Sequence, residues 1–159
     1  MTPFRVIALP DHVAEQVRRE RKAPGYGHPA HAEIATGYGP CRVCLRTFEQ
    51  GVDRRLLFTY DPFDGVDPLP LPSPIFVHES PCRRHAEDEG FPEELRDLPL
   101  TLNAYGRGRR LRDVAYVDDG RVEPSVESLL ARPDVDYIHV RNTEAGCYIL
   151  RIEPVEASA

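Results

Sequence analysis

Apolar and polar positions alternate most cleanly between Tyr137 and Ile152. In an extended chain, Ile138 and Val140 fall on one face and Tyr137, His139 and Arg141 on the other. A break at Asn142–Gly146 separates this run from Cys147 to Ile152, so the segment predicts a hairpin. Helical spacing is clearest where Val122, Val126, Leu129 and Leu130 recur, with Pro124 in a first-turn position, predicting a helix over 124–131. Val13 and Val17 lie one turn apart and predict a second helix near 12–21, with Asp11 as its N-cap. Shorter runs predict strands at Phe4 to Leu9, Ile75 to His78, Leu100 to Tyr105 and Leu111 to Val117, and a short helix at Pro92 to Asp97. Cys41 to Phe48 and Arg54 to Tyr60 read as a hairpin around Glu49–Asp53.

Between these runs, residues 22–40 show no period and carry Gly, His and Pro, so they predict loop. Asp61 to Pro74 has prolines at 62, 68, 70, 72 and 74 and reads as a stiff, partly polyproline-like surface loop rather than a docking peptide. The pattern predicts an α+β fold in a single domain over 1–154, with a frayed tail over 155–159. It would be a mostly antiparallel twisted sheet of about seven strands with two or three helices.

Composition narrows the function. At 159 residues, with net charge -6 and 41% apolar residues, the chain suits a soluble globular protein with a real core. The acidic balance argues against nucleic acid and anionic membranes as partners. The basic run Arg107 to Arg112 reads as a solvated turn between strands. No apolar run approaches the roughly 20 residues of a membrane span, and the N-terminus does not read as a secretory signal, so a cytoplasmic location is expected. Four cysteines are then expected as reduced thiols. Nothing selects a monomer over a homodimer.

Three groups of residues could carry chemistry. His28-x2-His31, Cys41-x2-Cys44 and Cys82-x2-His85 have ligand-like spacing, and His28, His31, Cys41 and Cys44 make the tidiest zinc set. A regular strand would point Cys41 and Cys44 to opposite faces; only a turn at Pro40-Cys41-Arg42-Val43 would bring their sulfurs together. Thiol exchange at Cys41-x2-Cys44 is disfavoured, because no capped helix follows to lower a thiol pKa. The third group is Arg42, His78, Tyr137, His139, Arg141 and Asn142. Two guanidinium groups converging there would anchor a small anionic molecule, with His139 or His78 as acid or base if there is turnover. Each alone has a plainer role as a satisfied structural polar group. Cys147, after the turn glycine Gly146, reads as a small apolar side chain, and as a nucleophile only if His139 or His78 stands within reach.

The blocks Gly-Pro-Cys-Arg (39–42), Ile-Phe-Val-His-Glu (75–79) and Tyr-Ile-His-Val-Arg-Asn-Thr-Glu-Ala-Gly-Cys-Tyr (137–148), with Arg54 to Tyr60, resemble the bacterial family called domain of unknown function 1203. The resemblance covers nearly the whole chain and implies a stand-alone domain with no assigned activity. It places Cys41 and Cys147 in the family's motif, and Cys44, His28 and His31 outside its general form, as features of a subgroup. It therefore implies that a four-ligand zinc site is an added feature rather than what holds the common fold together. The favoured reading is a domain that binds a small anionic molecule, with turnover as an added option. Its alternatives are a zinc-stabilised binding module and an accessory protein without catalysis.

Overall fold

A computed structural model describes residues 3–64 and 72–155. Residues 65–71, half of the predicted proline-rich loop, and nearly all of the predicted frayed tail lie outside the described residues. The chain divides into two compact units, one of Ala8–His85 and one of Met1–Ile7 with Ala86–Ala159. Each has its own antiparallel sheet.

The first unit begins with helix α1 (Asp11–Glu20). Its sheet runs β2 (His31–Ile34), β3 (Arg54–Tyr60), β4 (Ser73–His78) in that order, and β1 (Phe4–Ile7), which precedes them in the chain, belongs to the other unit. Ala14 and Val17 are the buried face of α1. They join Leu9, Val43, Leu56, Phe58, Ile75 and Val77 in one apolar cluster. Each large aliphatic or aromatic side chain so buried contributes about 1.5–3 kcal/mol. Arg21 closes the helix in a left-handed conformation, its N–H bonded to the Val17 carbonyl at 2.8 Å.

The second unit carries β1 (Phe4–Ile7), β5 (Leu100–Gly106), β6 (Arg110–Val117), helix α2 (Val122–Leu130), β7 (Tyr137–Asn142) and β8 (Tyr148–Pro154). Its sheet order is β1-β8-β7-β5-β6, with α2 against β5 and β6. Register aligns Ile138 with Ile152 and Ala104, and Val140 with Leu150 and Leu102, so one face is a continuous apolar layer. All six of those side chains are buried. The predicted closing hairpin and the helix at 124–131 are present, each starting or ending within a few residues of its expected bounds.

Several expectations are corrected. Among the described residues, eight strands form two sheets instead of about seven in one. Cys41 to Phe48 is not a strand: Cys41 enters a turn whose Leu45 N–H bonds the Cys41 carbonyl at 2.9 Å, with Leu45 at φ 57°. Its alternating pattern misleads because Arg42 is buried along with Cys41, Val43 and Leu45. The strand beside β3 is instead β2, from the segment expected to be loop. That edge strand is mostly exposed, and main-chain pairing alone leaves no hydrophobic period to read. Asp11 is the first residue of α1 and makes no side-chain cap; Pro10 holds the cap position. The short helix near Pro92 is a 3-10 turn over Glu93–Asp97. Among the described residues, no helix is long and apolar enough to cross a membrane.

Candidate metal centre

The turn that replaces the expected strand at Cys41 has a consequence for its side chains. Cys41 and Cys44 are carried to one side, where the end of β4 supplies His78 and the loop after it supplies Cys82. Their ligand atoms all lie within 4.8 Å of one another. The Cys41 and Cys82 sulfurs are 3.7 Å apart, and the Cys44 sulfur is 3.5 Å from His78 Nδ1. A tetrahedral ion with metal–sulfur and metal–nitrogen bonds of roughly 2.3 and 2.05 Å has edges of about 3.8 Å between sulfurs and about 3.6 Å from sulfur to nitrogen. Both measured edges match. The cluster could hold a metal ion.

The local backbone builds this geometry. Cys41 N–H bonds the Arg46 carbonyl at 2.9 Å, closing the turn on itself, while Arg42 N–H bonds the Phe76 carbonyl on β4 at 3.1 Å. The His78 N–H points at the Cys41 sulfur at 3.4 Å. The Phe48 ring meets the His78 ring edge-on with centroids 4.8 Å apart, fixing the imidazole plane. Cys41 is fully buried; Cys44, His78 and Cys82 are half-buried.

Electrostatics follow the same contacts. Burial opposes ionisation of Cys41, yet hydrogen bonds from Cys44, Cys82 and His78 overcome it and hold the thiol well below its ordinary range. Hydrogen bonds to Cys41 and Cys82 keep the Cys44 proton on. His78 is pushed up to about 10 by its hydrogen bonds to Cys41 and Cys82, against burial. The cluster is thus poised as a thiolate–imidazolium group whose protons a divalent ion would displace.

The residues anticipated as ligands divide. Cys41 and Cys44 are in the cluster; His28 and His31 are not. The His28 Nε2 lies 2.8 Å from Thr59 Oγ1, and its Nδ1 2.9 Å from the Pro29 carbonyl. His31 is exposed on β2, with Glu33 at 4.0 Å. Sequence reasoning placed His78 in a different group and set Cys82 aside. The signal was there in Cys82-x2-His85, of which the cluster takes the cysteine and leaves the histidine.

The residues expected around an anion are spread over both units. In the first, Arg42 is buried and its Nη1 donates to the Pro40 carbonyl at 2.6 Å. In the second, His139 is fully buried among the rings of Tyr105, Tyr137 and Tyr148, with centroids 5.0–5.3 Å away. Burial, then the charges of Arg141 and Arg151, lower His139 to about 3, so it stays neutral. Arg141 Nη1 points at the Gly146 carbonyl at 3.5 Å. The Asn142 side-chain oxygen accepts from the N–H groups of Glu144 and Ala145, both at 2.9 Å, which makes it a turn residue. The Cys147 thiol is half-buried and faces the Ala145 carbonyl at 3.8 Å.

Beside the cluster, an open cleft of about 750 Å³ is lined by Asp11, Glu15, Arg18 and Arg19 of α1 and by Cys82, Arg83 and Arg84. Arg84 braces it, donating to the carbonyls of Leu9 and Ala8 at 3.0 and 2.8 Å. Cys82 belongs to both cleft and cluster, so one candidate ligand faces the open cleft.

No curated protein and no solved structure matches the chain. A family model described as Protein of unknown function (DUF1203) matches residues 38–154, a span that holds all four cluster residues and excludes His28 and His31. With that match over most of its length, the chain belongs to the DUF1203 family.

Proposed function

We propose that the protein binds one zinc ion through the sulfurs of Cys41, Cys44 and Cys82 and Nδ1 of His78, and that the ion stabilises a binding module. The observation carrying this reading is the match of two independent edges of the cluster, 3.7 and 3.5 Å, to a zinc tetrahedron. Three soft sulfurs and one imidazole favour zinc over magnesium, calcium or manganese. Four protein ligands fill the coordination sphere, which suits a structural rather than a hydrolytic role. The ion would tie together three stretches of chain that no disulfide joins: the turn at 41–44, the end of β4 and the loop at Cys82.

Metal analysis of protein purified without added zinc tests this. About one equivalent per chain is expected, falling in Cys41→Ser and Cys44→Ser and unchanged in His28→Ala and His31→Ala. Less than about one-tenth equivalent in the wild-type chain rejects the reading.

A small-anion reading is supported by the cleft, whose arginines give it local positive charge in a chain of net charge -6. Inorganic phosphate at a hundred times its dissociation constant would stabilise the protein by roughly 2.7 kcal/mol. A thermal shift that Arg19→Ala leaves intact would place the anion elsewhere.

A further inference from the structure

Metal centres of this type depend on the groups that hold their ligands as well as on the ligands themselves. Two charged side chains of the three-stranded unit stand in that position. Arg18, on the exposed-cleft side of α1, donates from Nε to the His78 carbonyl at 3.1 Å and from Nη2 toward the Cys82 sulfur at 3.7 Å. Asp53, just before β3, places Oδ2 3.6 Å from His78 Nε2, the ring nitrogen turned away from Cys44. The same oxygen accepts the Glu49 N–H at 2.8 Å, which anchors the carboxylate in its own turn.

We propose that Arg18 and Asp53 are the outer-sphere positioning residues of the centre. Asp53 fixes His78 as the Nε2–H tautomer, leaving Nδ1 as the donor that faces the sulfurs. Arg18 offsets the negative charge that three thiolates leave on a divalent ion and holds Cys82, the ligand on the cleft side, in place. The assignment rests on the zinc reading above and adds which ring nitrogen binds and which two side chains set the affinity.

The geometry is independent of the ligands' own backbone. Arg18 comes from a helix and Asp53 from the turn before β3, neither of which supplies a ligand. They meet the two cluster residues that come from outside the Cys41 turn, His78 and Cys82. A guanidinium suits the role because its fixed fork can serve a carbonyl and a sulfur together. Lysine would keep the charge and lose the fork.

The test uses the zinc-loaded full chain. Competition against a chromophoric chelator reads the zinc affinity of wild type, Arg18→Met, Arg18→Lys and Asp53→Asn. Roughly 10–100-fold weaker binding is expected for Arg18→Met and Asp53→Asn, with partial recovery in Arg18→Lys. Long-range nitrogen–proton imidazole spectra of the wild type are expected to show zinc on Nδ1 and a proton on Nε2, with the proton signal broadened or moved in Asp53→Asn. Merely structural side chains would lower the melting temperature without moving that signature. Affinities within about twofold of wild type in both substitutions, or zinc on Nε2, overturn the outer-sphere assignment and leave the zinc reading standing. A wild-type chain that takes up no zinc overturns both.

Discussion

His78 in the three-stranded unit is half-buried and His139 in the five-stranded unit is fully buried, and their neighbours drive them in opposite directions. Sulfurs surround His78 and raise it to about 10. Burial among tyrosine rings, reinforced by two arginines, lowers His139 to about 3. The first histidine is held protonated among sulfurs that could share a metal ion with it; the second is held neutral as a packing group. Burial dominates at His139 and sulfur contacts dominate at His78, and the two units sort accordingly. One unit concentrates polar donors from separate segments. The other stacks apolar and aromatic side chains across five strands.

The sharpest way to break this contrast is to take the metal away. Linkage with metal held at a thousand times its dissociation constant stabilises by about 4 kcal/mol, so chelation should remove a large part of the first unit's stability. Thermal unfolding with and without a strong chelator reads the total. Hydrogen exchange should show the lost protection concentrated within Ala8–His85. An unchanged melting temperature in excess chelator would leave the centre without a structural role.

The contrast also explains what could be read in advance. The five-stranded unit was legible because its information is local. Helical spacing at Val122–Leu130 reflects one buried face, and the alternation at Tyr137–Val140 separates an aliphatic face from an aromatic one, both of them buried. The partition into two sheets was not legible, because β2 is an exposed edge carrying His31-Ala32-Glu33-Ile34 and offers no period. The site was half legible. Cys41-x2-Cys44 has ligand spacing, but its alternating neighbours imitate a strand, and burial of the charged Arg42 defeats that pattern. His78 and Cys82 meet the 41–44 turn where the Arg42 N–H bonds the Phe76 carbonyl of β4, a long-range fact that spacing does not encode.

The second unit has its own large effect, driven by protons rather than metal. His139 carries a folded pKa near 3 against an ordinary value of 6.5, so the unfolded chain binds the proton more tightly. The stabilisation is therefore complete above about pH 6.5 and is lost as pH falls toward 3, with a ceiling on the order of 4 kcal/mol. Chemical denaturation of His139→Phe against wild type between pH 7 and pH 4 should show a smaller acid loss in the variant. Parallel curves would mean that acid acts elsewhere.

A smaller, steric test probes the packing of that unit. A Cβ at Gly106 would lie 2.3 Å from the Asp134 carbonyl oxygen, a backbone atom with little freedom to retreat. Gly106→Ala should cost about 1–3 kcal/mol, the range for forcing atoms into a filled site. Gly146→Ala meets no such neighbour, and its cost would come from the positive φ of 77° alone. Equal denaturation midpoints for Gly106→Ala and wild type would show that β5 and the Asp134 backbone part more easily than their contact suggests.

The smallest effect marks the limit of charge pairing as a source of stability. Arg96 donates to both carboxylate oxygens of Glu123, with the Nη1 contact at 2.9 Å, and also to Glu93 at 3.0 Å and the Gly120 carbonyl at 2.9 Å. Its guanidinium holds the Glu123 carboxyl below the ordinary range. This stabilisation is present above the usual carboxylate pKa and fades as pH falls through the lowered value. Like the metal centre, the network links separate stretches, here the 3-10 turn at Glu93–Asp97 and the start of α2. The pair is partly open to solvent, so water competes for every contact. Glu123→Gln, which keeps the shape and removes the charge, should therefore cost less than about 1 kcal/mol by denaturation at neutral pH. A loss of several kcal/mol would make ion pairing in the five-stranded unit as consequential as metal binding in the other, and the contrast between the units would fail on energetic grounds.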